Sequence, residues 1–184
     1  MFELKPGWIN TLSLKIEGAL VEPLDVPWDE KKGESEESTT NRDRRRTYDR
    51  ETSTTTAWIM VRAHATFRLA VKNGDQNLAF VRITVDGVVV SPNDHRALLL
   101  WEAPGLTDTL QVDRRLPPTE EPLHFTATPL GKDYGEIKVE VFFLGNLDPA
   151  NMGRPPACWT PERIDLSKID RRRPSETLRI LYRE

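Results

Sequence analysis

The sequence predicts an all-β protein, an antiparallel two-sheet β-sandwich of jelly-roll-like type with about eight or nine strands. Apolar and polar residues alternate along most of the chain, which is the pattern of strands with one face in a core and one in water. Long continuous apolar runs, which are typical of parallel sheets covered by helices, do not occur. Asn, Asp and Gly lie between the alternating segments, where they favour turns.

The individual strands are predicted from this alternation. In the longest run, residues 58–72, every odd-numbered residue from Ile59 to Val71 is apolar. Asp86-Gly87 predicts a type I′ hairpin turn, because both central residues of that turn need positive φ. One short helix is predicted at Pro161–Lys168, with Thr160 as the N-cap. Further strands are predicted at residues 12–17, 81–85, 88–90, 97–101, 109–112, 123–128, 137–143 and 178–183.

A single domain covering residues 1–184 is expected, because this length suits one core. A charged loop insertion is predicted at residues 29–56, whose polar composition cannot build a core by itself. Residues 29–37 hold five acidic and two basic residues, whereas residues 42–50 hold five Arg and two Asp. A C-terminal segment, residues 145–175, is predicted to wrap around the surface of the domain.

Composition excludes several classes of protein. One Cys excludes a disulfide framework within the chain and a Cys-based zinc site. The chain has no apolar run of roughly 18 residues, as a membrane-spanning helix would need, and its start lacks the pattern of a signal peptide. A net charge of −3 argues against nucleic acid as a partner. We therefore expect a protein of the cytoplasm or of a virion.

No catalytic residue is predicted, and the protein is expected to be non-enzymatic and without a cofactor. The sequence lacks a nucleophile elbow, a P-loop and an H-E-x-x-H zinc motif. Glu136 and Glu140 are candidates for a glycosidase pair, but residues i and i+4 of a strand lie about 13 Å apart, which is too far. Cys158 lies in a proline-rich loop with no His nearby in sequence. A charged, solvated strand face is the favoured interpretation of the two glutamates.

No metal site is predicted either. His64 and His124 point outward by the alternation and His95 lies in a turn, without the short spacing of zinc ligands. Surface histidines are therefore the expected interpretation. The segment Asn73–Asn77 offers oxygen atoms to calcium, but it contains one carboxylate and is better explained as a turn.

Arginine runs and outward apolar side chains predict a protein–protein interface. Arg, Trp and Met are enriched at such contacts, and arginine forks bind carboxylates with two hydrogen bonds. The basic half of the insertion can pair with the acidic half of a neighbouring copy, although binding of nucleic acid and simple solvation are the alternatives. For the outward apolar side chains, the alternative is a register slip or a covering helix that makes these positions part of the core. The predicted interface residues are Arg42, Arg44, Arg45, Arg46, Trp58, Met60, Phe142, Arg171, Arg172 and Arg173.

These observations together predict a non-enzymatic structural protein, a building block of a larger complex such as a phage or viral particle. Its partners would be other protein subunits, in a homo-oligomer or in a particle. The layout resembles that of jelly-roll capsid proteins in architecture alone, and no motif indicates a family. The alternative is a carbohydrate-binding β-sandwich, in which exposed tryptophans would stack on sugar rings.

Overall fold

The computed structural model describes residues 1–6, 12–27, 45–74, 78–99, 108–127, 133–144, 166–169 and 172–184. These residues form twelve strands in two sheets, and their helical turns are two 3-10 segments, His95–Ala97 and Leu166–Lys168. The prediction of an all-β protein with two sheets is confirmed, although the strands outnumber those predicted. The strands are β1 (Phe2–Leu4), β2 (Leu12–Glu17), β3 (Val21–Leu24), β4 (Arg46–Asp49), β5 (Thr54–Val61), β6 (Arg68–Asn73), β7 (Ala79–Val85), β8 (Val88–Val89), β9 (Leu98–Leu99), β10 (Asp108–Val112), β11 (Gly135–Phe143) and β12 (Glu176–Arg183).

The smaller sheet has four strands in the order β1-β2-β6-β10, and all of its pairs are antiparallel. The larger sheet has eight strands, with the order β3-β5-β12-β11-β7-β8 and with β4 and β9 paired to β5 and β7. The prediction that all strands are antiparallel is wrong at one pair, because β12 runs parallel to β5, with Ile180 beside Ala57. Alternation fixes which face of a strand is buried, but it does not fix the direction of the neighbouring strand.

The largest hydrophobic cluster takes side chains from both sheets. Leu14 and Val71 of the four-stranded sheet belong to the same cluster as Ile59, Val139 and Ile180 of the eight-stranded sheet. All five side chains are fully buried. Burial of apolar surface is the main favourable contribution to folding, so this shared cluster holds the two sheets together.

The run predicted as one strand at residues 58–72 is two strands. β5 ends at Val61 and β6 begins at Arg68, and between them His64 adopts a φ of 61°. That backbone conformation is incompatible with an extended strand, so the chain turns although its apolar spacing continues. Residues 123–127 also alternate, but instead of the predicted strand they form one isolated bridge, from His124 to Thr66.

The predicted insertion at residues 29–56 is shorter at its C-terminal end, because Arg46–Asp49 and Thr54–Thr56 lie in β4 and β5. The predicted turn at Asp86-Gly87 is confirmed, with φ values of 50° and 83°. Most of the predicted helix at Pro161–Lys168 lies outside the described residues. The part that is described, Leu166–Lys168, is a 3-10 helix. Within the described part of the chain, no helix is both long enough and apolar enough to cross a membrane.

Candidate interaction surface

The face of the eight-stranded sheet that points away from the shared core carries three groups of side chains. Two are apolar clusters at opposite ends of the strands, and the third is a band of charges between them. The Trp58 cluster consists of Val26, Trp58 and Leu181, with Leu24 and Tyr134 packed against them. The Phe142 cluster consists of Leu78, Phe80, Ala97, Leu98, Phe142, Leu144 and Ile169, with Leu166 against them. The charged band consists of Arg82, Glu136, Lys138, Glu140 and Arg179.

Trp58 lies on the outward face of β5, yet it is 2% exposed. Leu24 of β3 is paired with it on one side and Leu181 of β12 on the other. Val26, just beyond β3, completes the cover and is itself buried. The expectation that Trp58 is exposed is therefore wrong, because a segment outside the strands folds over this end of the sheet.

Phe142 is covered at the other end of the same face and is 3% exposed. It is paired with Phe80 of β7, with the ring centroids 6.4 Å apart. Leu98 of β9 and Ile169, which follows the second 3-10 segment, pack into the same cluster. The expectation of an exposed Phe142 is also wrong, for the same physical reason. Most of the predicted wrapping segment, residues 145–175, lies outside the described residues.

The charged band crosses β7, β11 and β12 between the two clusters. The Nε of Arg82 lies 2.8 Å from Glu140 Oε2, and Lys138 Nζ lies 3.8 Å from the other oxygen of the same carboxylate. The Nε of Arg179 lies 2.6 Å from Glu136 Oε1. The two glutamates thus each pair with an arginine instead of facing one another. Such an arrangement supplies neither a free general acid nor a free general base.

One edge of the eight-stranded sheet is an interrupted strand. β3 and β4 both run antiparallel to β5 and pair with successive parts of it. Leu24, the last residue of β3, faces Trp58, and Arg46, the first residue of β4, faces the adjacent Ala57. The chain between them, which contains most of the charge-segregated sequence, therefore leaves and rejoins the sheet at neighbouring points.

The turn after β4 is held by Asp49. The Thr52 hydroxyl donates to Asp49 Oδ2 at 2.8 Å, and the backbone N–H of Glu51 donates to Oδ1 at 2.9 Å. These hydrogen bonds, that of Thr52 first, lower the pKa of the Asp49 carboxyl below its usual value. Ser53 completes the turn with a φ of 51°. The turn fixes β4 against β5 and so places the returning end of the charged sequence.

Several predicted interface residues lie near this edge. Arg45 is exposed, and Arg46 donates from Nη1 to the carbonyl of Lys5 at 3.0 Å. Met60, on the outward face of β5, is 37% exposed. Arg172 and Arg173 are exposed and precede β12, whose Thr177 is paired with Thr54 at the start of β5, whereas Arg46 is paired with Ala57 further along β5. Arg42, Arg44 and Arg171 lie outside the described residues.

A polar network surrounds the hydroxyl of Tyr182, and no sequence pattern indicates it. The Tyr182 hydroxyl donates to Asp86 Oδ2 at 2.5 Å, and the Thr126 hydroxyl lies 2.9 Å from both of these oxygens. The backbone N–H of Glu136 donates to Asp86 Oδ1 at 2.9 Å. Burial, and then the hydrogen bond to Asp86, raise the pKa of Tyr182 to about 12. Position 135 requires glycine, because a Cβ on this residue would overlap the ring of Tyr182.

This network joins the β7–β8 turn to the start of β11 and the end of β12. The sequence indicates Asp86 as a turn residue, but the partner of its carboxylate depends on how distant strands come together. Tyr182 is fully buried, and its ring packs edge-on against Phe125 with the centroids 5.0 Å apart. A buried, fully hydrogen-bonded group of this kind rigidifies a core.

The predicted metal-binding candidates are placed differently from one another. Asn73 is buried and donates from Nδ2 to the carbonyl of Leu99 at 3.3 Å, while residues 75–77 of the calcium candidate lie outside the described residues. His64 is exposed and His124 is half-buried beside it. In the described residues, no group of three or more His, Cys, Asp and Glu side chains is arranged to hold a metal ion. Cys158 and the side chain of His95 are not described.

Comparison of the chain with family models, with curated proteins and with solved structures finds no match.

Proposed function

We propose that this protein is a non-enzymatic building block of a larger protein assembly, of the kind found in a phage or viral particle. Its two sheets would form a β-sandwich, and its partners would be other subunits. The support for the sandwich is the shared core, since Leu14 and Val71 from one sheet cluster with Ile59 and Val139 from the other. Two sheets that bury one face each in a common core are the basis of sandwich architecture.

The observation that carries the proposal is the interrupted edge strand. An exposed sheet edge presents backbone groups to which another chain can bind. Here the chain departs after Leu24 and returns at Arg46, and the intervening sequence is acidic first and basic later. Such segregation allows the acidic part of one copy to attract the basic part of another, which favours specific association.

The two strands of this edge are unequally protected against pairing with another chain, and the difference favours contacts at β4. β3 contains Pro23, whose missing N–H discourages pairing with another strand. β4, with the sequence Arg-Thr-Tyr-Asp, has no proline and lies within the basic stretch, residues 42–50. A partner that binds at this edge would therefore meet Arg45 and Arg46 beside a strand that is free of proline.

The test is a mass measurement in solution on two versions of the protein. In one version, a short Gly-Ser linker replaces residues 28–44, which is possible because Leu24 and Arg46 face consecutive residues of β5. β4 stays intact, so the sheet keeps its edge. The proposal predicts an oligomer for the full chain and a smaller species for the linker version. It also predicts weaker association of the full chain at high salt, because salt screens exposed charges.

A matched control removes two exposed arginines elsewhere, Arg62→Gln with Arg68→Gln. This variant should keep the oligomer of the full chain. A full chain that is monomeric at every concentration tested contradicts the proposal, as does a linker version with an unchanged oligomer.

The carbohydrate-binding alternative has no supporting observation among the described residues. Trp58 is buried in the Trp58 cluster and offers no face on which a sugar could stack. The other four tryptophans, Trp8, Trp28, Trp101 and Trp159, lie outside the described residues. Retardation of the protein in a polysaccharide gel is the experiment that would favour this alternative.

A further inference from the structure

Two histidines that are far apart in sequence lie side by side at the surface. His64 is in the turn between β5 and β6, and His124 is in the bridged segment after β10. The backbone N–H of His64 donates to the carbonyl of Phe125 at 2.8 Å, and His124 forms a bridge with Thr66. These contacts hold the two backbones together, and the ring centroids lie 6.4 Å apart with the ring planes 31° apart.

The ring of His124 is oriented so that one nitrogen remains available. Its Nδ1 lies 3.2 Å from the carbonyl oxygen of Pro122. A carbonyl can only accept a hydrogen bond, so Nδ1 is the donor in this contact, and in the neutral form of the ring Nε2 is then the nitrogen with the lone pair. A hydrogen bond from the second ring nitrogen to a carbonyl is the usual way in which proteins orient a histidine that binds a metal.

The backbone conformation of His64 places its imidazole beside that of His124. Its φ of 61° lies in the left-handed region, where His is enriched among non-glycine residues together with Asn and Asp. The hydrogen bond to Phe125 fixes this conformation, and the imidazole is exposed beside His124. Sparsely populated backbone conformations concentrate at functional sites.

We propose that His64 and His124 together bind one divalent transition-metal ion of the copper, nickel and zinc group, with water in the remaining positions. Imidazole nitrogens suit these ions, whereas calcium and magnesium prefer oxygen ligands. With metal–nitrogen bonds of about 2.0–2.1 Å, two ligands at a tetrahedral angle have their ring centroids roughly 5.3 Å apart. The observed separation of 6.4 Å is larger by ~1 Å, which small side-chain rotations of the two rings cover.

The site has two protein ligands, since no third His, Cys, Asp or Glu converges on the pair among the described residues. Binding is therefore weaker than in a structural zinc site with four protein ligands, and it is reversible. The order of affinity should be copper above nickel and zinc.

The test is a titration of the full chain with Ni²⁺ near neutral pH, followed by calorimetry and by NMR. Ni²⁺ is paramagnetic, so it should broaden the signals of His64 and His124 before others. His64→Asn and His124→Gln should each lower the affinity by about tenfold or more. Asparagine is chosen at position 64 because it tolerates the left-handed backbone. His95→Ala, the matched control, should bind as the unmodified protein does.

Three results would overturn the proposal. The first is no binding to the unmodified chain. The second is equal affinity in the two variants and the control. The third is a loss of affinity in one of the two variants alone, which would indicate binding by a single histidine. Thermal unfolding of each variant without metal shows whether the fold is retained, and the NMR pattern of broadened residues reports the site independently of affinity.

Discussion

The two sheets have outer faces of different kinds. On the four-stranded sheet, the outward residues include Lys15, Arg68 and Gln111, which lie beside the small, buried Ser13 and Ala70. On the eight-stranded sheet, the outward Trp58 and Phe142 are covered by segments outside the strands. Both faces show the same period-two alternation along their strands. Alternation therefore identifies an outward face, and the residues on that face indicate whether water or protein covers it.

The largest expected effect tests whether the cover over the eight-stranded sheet contributes to stability. Trp58→Ala removes a buried indole from the Trp58 cluster and should lower the free energy of unfolding by about 3–5 kcal/mol. Urea denaturation measures the change. Met60→Ala is the matched control on the same face of the same strand, where the side chain is 37% exposed, and should cost less than about 1 kcal/mol. Equal effects of the two substitutions would mean that the cover over Trp58 does not form.

The Tyr182 network lies on the inner side of the same sheet and should contribute less than the Trp58 cluster. Tyr182→Phe keeps the ring and its contact with Phe125 but removes the hydroxyl that donates to Asp86. It leaves the half-buried Asp86 carboxylate with one fewer hydrogen bond, so the free energy of unfolding should fall by about 1–3 kcal/mol. Urea denaturation at pH 7 gives this value. A loss as large as that of Trp58→Ala would contradict the expectation that the Tyr182 network contributes less to stability than the Trp58 cluster.

Alkaline pH should weaken the same network without any substitution. The folded protein raises the pKa of Tyr182 from 10.0 to about 12, so the fold favours the neutral phenol. The stability that this supplies is complete below pH 10 and is lost as the pH rises through 12. Urea midpoints measured at pH 9 and pH 11.5 for both proteins provide the check, and an equal alkaline loss in Tyr182→Phe would assign the effect to other groups.

The sequence predicts the structural features that depend on neighbouring residues. It does not predict those that depend on contacts between distant segments. The alternation in β2, β7, β11 and β12 and the turn at Asp86-Gly87 were predicted correctly, because each depends on local spacing and backbone preference. The parallel pairing of β5 with β12 and the covers over Trp58 and Phe142 depend on contacts between distant segments. The pairing of His64 with His124 is of the same kind, since the turn at His64 breaks an alternation that the sequence continues.

The smallest expected effect separates two ion pairs within the charged band. Glu140 is the most buried member, with a side chain 12% exposed, while Arg179 and Glu136 are 44% and 33% exposed. Arg82→Gln removes the closer cationic partner of Glu140 and leaves Lys138 at 3.8 Å, so it should lower the free energy of unfolding by about 1 kcal/mol. Arg179→Gln breaks a more exposed pair and should cost about 0.2–0.5 kcal/mol, less at high salt. Urea denaturation at low and high salt measures both. Equal costs would show that the flanking apolar clusters do not shield Glu140 from water, and the outer faces of the two sheets would then be alike in the middle of their strands.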